Sequence, residues 1–117
     1  MRITLTVGAT VLTGTLADNP TSRDFAALLP LTLSLSDHNR TEKISYLPRK
    51  LTTEGAPSAT AATAGDLAYY APWGNLAIFY RDFRRSPGLI TIGSLDGGHE
   101  LLPGQSGDFP VTIAHAD

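Results

Sequence analysis

Apolar and polar residues alternate along this chain in short blocks, not in the wide stripes of long helices. Ile3, Leu5 and Val7 alternate with Arg2, Thr4 and Thr6, the period of two that marks a strand with one buried face. Gly8-Ala9-Thr10 reverses the chain, and Val11–Leu16 returns with Leu12 and Leu16 on one side. The pair predicts an opening antiparallel hairpin. Leu31, Leu33 and Leu35 alternate with Thr32, Ser34 and Ser36 in a third strand, and Ile44–Leu47 forms a fourth, ended by Pro48. Asp37–Thr41 between them reads as a polar loop. Leu67–Ala71 and Leu76–Tyr80 flank a Pro72-Trp73-Gly74-Asn75 corner, where proline presets φ and Gly and Asn tolerate the dihedrals of reversal. That stretch predicts a central hairpin. Leu89–Leu95 and Phe109–His115 complete the set, separated by a break at Asp96–His99, a single helical turn at Glu100–Leu102 and a loop at Pro103–Gly107. Pairing the two terminal strands would close the sheet and remove its exposed edge.

Two stretches depart from the strand period. Asp18-Asn19-Pro20-Thr21 is a helix start, with a side-chain cap followed by proline in the first turn. Phe25, Leu28 and Leu29 then have the spacing of one buried stripe, and Pro30 stops the helix. A helix over Asn19–Leu29 is therefore expected to plug one end of the barrel, with Asp24 near the positive end of its dipole. Thr52–Ala64 is Ala, Thr, Gly, Pro and Ser with Glu54 as its one charge, a composition that predicts a mobile surface loop. The fold expected is mainly β: a small closed antiparallel barrel with one short capping helix near residues 20–29.

At 117 residues the chain is expected to form one domain, 1–117, large enough for a core of its own. It has no cysteine, so disulfides, thiolate metal sites and cysteine nucleophiles are excluded. A net charge of −2 points away from nucleic acid, which calls for a basic excess. No stretch approaches the roughly 20 apolar residues of a membrane span, and the alternating N-terminus lacks the apolar run of a signal peptide. Cytoplasm is the address these features predict. The local exception in charge is Arg81, Arg84 and Arg85, read either as a solvated loop or as a contact for an anion or carboxylate.

Sequence motifs name no reaction. His38, His99 and His115 are far apart, without zinc-site spacing, and His38 stands in a loop with no orienting neighbour. There is no G-x-S-x-G elbow and no glycine-rich phosphate loop, so no catalytic residue, metal or cofactor is assigned. The aromatic residues carry the remaining signal. Tyr69, Tyr70, Trp73, Phe79, Tyr80 and Phe83 are six of the nine in the chain. Tyr69 and Tyr70 point to opposite faces of one strand, so at most one enters the core. Trp73 at the corner is either an exposed platform or a ring packed over the barrel mouth. Leu76 and Ile78 mark the core face of the next strand, which leaves Phe79 and Arg81 on the outer face.

Together, Asp18-Asn19-Pro20-Thr21, Leu28–Leu33, Gly65–Tyr70, Trp73–Tyr80 and Ile92-Gly93-Ser94-Leu95 resemble the bacterial cyclophilin-like proteins, small barrels of largely unknown function. The resemblance spans nearly the whole chain and implies a reduced version of the cyclophilin barrel. Cyclophilins proper are prolyl isomerases whose essential arginine sits on a Phe-His-Arg strand. In Ile44–Pro48 that position holds Tyr46, and Arg49 follows beyond the proline. Their Gly-Ser-Gln-Phe-Phe segment resembles Gly74–Phe79, in which the glutamine and at least one phenylalanine are absent. The function this implies is a non-catalytic binding module with an aromatic cleft beside the central hairpin. Tyr46, Arg49, Tyr70, Trp73, Phe79 and Arg81 are its candidate contacts, and a small molecule or peptide its ligand, with neither nucleic acid nor membrane as partner. The alternatives are a weak or divergent prolyl isomerase using Arg49, and a small enzyme on an unrelated substrate.

Overall fold

The computed structural model describes residues 1–105 and 107–116. Ser106, expected in a loop, and Asp117 lie outside them. Ten strands form in chain order: β1 Arg2–Val7, β2 Thr10–Leu16, β3 Leu31–His38, β4 Glu42–Tyr46, β5 Ala59–Ala62, β6 Asp66–Tyr70, β7 Asn75–Phe79, β8 Phe83–Pro87, β9 Leu89–Leu95 and β10 Phe109–His115. Eight of them close a barrel in the order β1-β10-β3-β4-β7-β6-β9-β2, every adjacent pair antiparallel. Closure is made as expected by the terminal strands, β1 lying on β10 with Ile3 opposite His115 and Leu5 opposite Ile113. Their alternating Ile and Leu side chains fill the interior with Leu33, Leu35, Leu67, Tyr69, Leu76, Ile78 and Ile92.

Two glycines are required by that closure, Gly93 and also Gly14, on which a Cβ would lie 2.7 Å from the Ser94 carbonyl oxygen. β2 and β9 meet where a Cβ on Gly93 would lie 2.5 Å from the Thr15 carbonyl oxygen. No side chain fits there.

The single α-helix among the described residues, α1, runs Pro20–Ala26, shorter than the Asn19–Leu29 expected. Asn19 caps it, its Oδ1 accepting the Ser22 N–H at 2.8 Å. Phe25 is fully buried in the barrel core. Leu28 and Leu29 fall beyond the helix and are half-buried, packed against the same core. Ser22 takes the place expected for them: it is buried, and its Oγ donates to the Ile92 carbonyl at 2.9 Å. Asp24 lies past the first turn, so it does not serve the helix dipole. It accepts from Arg49 Nη2 and the Thr52 N–H, both at 2.7 Å, and ties the following segment to the helix.

The expected loop at Thr52–Ala64 is corrected in part. Its second half is β5, which pairs with β8 in a separate two-stranded sheet. The Ala-Thr-Ala-Ala sequence hides this strand because nothing in it alternates strongly; Ala62 is nevertheless buried. β8 in turn absorbs Arg84 and Arg85, which sequence placed in a loop. This small sheet covers the outer face of the barrel, where Ala62, Ala68, Ala77, Phe79 and Leu89 form a second core edged by Ile44, Tyr70 and Phe83. The helical turn expected at Glu100–Leu102 is a 3₁₀ helix, His99–Gly104, that buries Leu102. No helix among the described residues is long and apolar enough to cross a membrane.

Candidate functional site

Outward-facing residues of the central hairpin build the site. On β7 the side chains of Leu76 and Ile78 enter the barrel, while Asn75, Ala77 and Phe79 face outward, although all five positions are buried. β4 lies beside it in register, Glu42 opposite Phe79 and Ile44 opposite Ala77. Those two strands floor a cleft of about 310 Å³. Phe83, Arg84, Ser86 and Pro87 of β8 wall it on one side.

Trp73 lies over the cleft from the hairpin corner. Tyr70 O accepts the Gly74 N–H at 2.8 Å and the Trp73 N–H at 3.2 Å, a tight reversal for which Gly74 takes φ +68°. The indole meets Tyr70 edge-on at 5.4 Å between centroids and His38 edge-on at 5.3 Å. It remains 47% exposed, the platform of the two readings the sequence left open. Elsewhere in the same cleft Phe79 and Phe83 stack at 5.7 Å, and the Arg84 guanidinium lies 4.9 Å from the Phe83 ring.

Two polar side chains interrupt the apolar floor. Asn75 is 1% exposed, and its Oδ1 has no hydrogen-bond partner among the described residues. An orphaned buried acceptor costs about 1–3 kcal/mol, so its persistence needs a reason. Glu42 is 8% exposed. Burial, and then the nearby Asp37 carboxylate, push its carboxyl up to about 7. Asp37 itself is held below the usual carboxylate range: burial opposes this, but Tyr80 Oη–H, the Arg40 N–H and Lys43 outweigh it.

Of the six residues singled out by sequence, the structure brings Tyr70, Trp73 and Phe79 together here. Tyr69, the other half of the tyrosine pair, is in the barrel core and accepts the Leu51 N–H at 3.1 Å. Tyr46 stands at the far end of β4, opposite Asn75 and 65% exposed, and does not line the cleft. Arg49 is paired with Asp24 at 2.7 Å on the helix side. Arg81 turns into a separate groove with Arg40, Asp37 and Lys43, while the adjacent Asp82 accepts the Ala64 N–H at 2.9 Å.

Sequence reasoning missed Glu42 and Asn75, set His38 aside as a loop residue without an orienting neighbour, and named Arg84 only within the arginine cluster. Reading Asp37–Thr41 as a loop was the cause for His38 and Glu42. β3 and β4 continue to His38 and Glu42, which face each other across a reversal whose central residues, Asn39 and Arg40, both take positive φ. That turn seats His38 against Trp73, correcting the expectation that it has no neighbour. Among the described residues, no group of three or more His, Asp or Glu side chains is placed to hold a metal.

Comparison with known proteins bears on the family and the fold. A family model described as the cyclophilin-like family matches residues 5–114. The solution structure of a hypothetical protein from Archaeoglobus fulgidus superposes with a TM-score of 0.69 over 99% of this chain and 95% of that one, at 20% identity. At that identity the likeness concerns the fold. Among curated proteins nothing matches the chain.

Proposed function

The chain belongs to the cyclophilin-like family, and from that premise we propose that it is a non-catalytic binding module. It holds a small molecule or a short peptide segment in the aromatic cleft on the outer face of the barrel. The observation that carries this is Trp73: a half-exposed indole fixed edge-on by Tyr70 and His38 above a concave floor. Exposed aromatic surface of this kind loses free energy to water until something covers it. The cleft volume stands at the lower end of the roughly 300–1,000 Å³ typical of ligand sites, and it combines apolar walls with a few polar groups, as such sites do.

Catalysis of proline isomerisation by the arginine-assisted route is not part of this reading. Arg49, the arginine nearest in sequence to the family position, is engaged by Asp24 away from the cleft. Fold alone carries no activity.

Crystals soaked in a mixture of small aromatic amines, alcohols and acids test the proposal. Density beneath Trp73 is the expected outcome, together with no acceleration in a protease-coupled isomerisation assay. Density confined to other grooves, or isomerase activity that Arg49→Ala removes, would overturn it.

A further inference from the structure

The polar groups of the cleft are matched to a particular ligand chemistry, an assignment that rests on the binding-module reading. Glu42 and Asn75 both face outward on the cleft floor but at opposite ends: Glu42 lies opposite Phe79, four residues along β7 from Asn75. At about 3.3 Å per residue the two positions are roughly 13 Å apart along the strand. Ile44 and Ala77 lie between them, with the Phe79 ring at the Glu42 end. Asn75 Oδ1 can only accept, is buried and is unpartnered. Near Glu42, Phe79 and Phe83 present stacked rings, and a cation is already drawn to that pair, since Arg84 lies over Phe83.

We propose that the cleft takes a small elongated organic amine, with its ammonium at Glu42 beside the Phe79 and Phe83 rings, its apolar middle under Trp73, and an N–H or O–H donor at its far end bonded to Asn75 Oδ1. Each part of that ligand answers a feature of the site. The ammonium supplies a charge partner for a desolvated carboxyl, which is otherwise costly to ionise. The distal donor satisfies the orphaned Asn75 acceptor. The apolar middle covers the indole.

Glu42 titrates near neutrality, so the charge of the site changes with pH. The other charged or titratable groups about the cleft are Asp37 and His38 on β3, Tyr70 on β6 and Arg84 on β8, while the neighbouring β7 floor, Asn75, Ala77 and Phe79, carries none. Ionised Glu42 attracts the ammonium and protonated Glu42 does not. Affinity for an amine is therefore expected to rise about tenfold from pH 6 to pH 8, the change in ionised fraction of a group titrating near 7. Arg84 opposes the ligand charge from the rim, which makes its effect opposite in sign to that of Glu42.

Calorimetry on the full chain with four probes tests this. Tyramine has an ammonium and a phenol O–H at opposite ends of a ring; 2-(4-hydroxyphenyl)ethanol replaces the ammonium by a neutral group, 4-hydroxyphenylacetate by an anion, and N-acetyl-lysine amide presents the ammonium as a peptide would. Tyramine should bind at least about tenfold tighter than the alcohol, the range of a desolvated cation–π contact and charge-assisted hydrogen bond. Glu42→Gln should remove that preference and flatten the pH dependence, whereas Arg84→Ala should tighten tyramine. Equal binding of alcohol and tyramine, seen by NMR shifts in the cleft, would leave the binding module standing and overturn the amine. Preference for 4-hydroxyphenylacetate, abolished by Arg84→Ala, would make the cleft an anion site. Tighter binding of the lysine amide would overturn the free-amine assignment, and a pH slope surviving in Glu42→Gln would overturn the pairing of the ammonium with Glu42. Silence of Trp73 towards every probe overturns the binding module itself.

Discussion

Glu42 is the residue at which stability and binding pull in opposite directions. Its carboxyl is raised from 4.5 in the unfolded chain to about 7 by burial and by Asp37, so the folded state holds this proton the more tightly. The contribution to stability is complete below pH 4.5 and is lost as pH rises through 7. Once solvent at the cleft mouth is allowed for, the loss is about 2 kcal/mol. Glu42→Gln keeps the shape and removes the charge. Chemical denaturation should find it more stable than the parent chain by about that amount at pH 8 and level with it at pH 4. A variant no more stable at pH 8 would mean that Glu42 is well solvated. None of this was legible in the sequence. Glu42 stands one residue beyond Asp37–Thr41, a stretch whose polarity reads as loop, and only the register with Phe79 places it outward beside an apolar floor. Asn75 was hidden for a related reason, since a turn asparagine is ordinarily satisfied by solvent or nearby backbone.

Among elements, α1 and the β5–β8 sheet were legible to very different degrees. The helix signals itself by the Asn19 cap, Pro20 and the inward Phe25, and only its length was overestimated because Leu28 and Leu29 continue the apolar spacing beyond its last turn. Phe25→Ala should cost about 3–5 kcal/mol in chemical denaturation, the range for emptying a buried phenylalanine site. A loss below about 1 kcal/mol would contradict the plug. β5 gave no such signal, because its alanines are small enough to fit a crowded outer core without a strong hydrophobic pattern. Ala62→Asp would put an unpaired carboxylate into that outer core. Hydrogen exchange should then show β5 and β8 losing protection while β1 and β10 keep theirs. Equal loss throughout would mean that the two layers unfold as one.

At the scale of the molecule, closure was readable because the terminal strands alternate cleanly and need each other to cover their edges. The position of the cleft was readable only in part. Alternation put Phe79 on the outer face, but it also sent Arg81 there, and a change of course after β7 takes that side chain into the neighbouring groove. Distances in sequence likewise misled for Arg49, which lies close to Tyr46 in the chain yet serves the helix through Asp24. Arg49→Ala should therefore lower the melting temperature modestly and leave binding at the cleft unchanged. The claim on which the rest depends is that ligands bind on the outer face, under Trp73. Amide and indole chemical shifts of the ¹⁵N-labelled chain, recorded during titration with small aromatic amines, alcohols and acids, test it most directly. Saturable shifts are expected at the indole N–H of Trp73, the sole tryptophan, and along residues 38–44, 70–79 and 83–89. Shifts gathered instead about Arg49 and Asp24, or in the groove that holds Arg81, would contradict it.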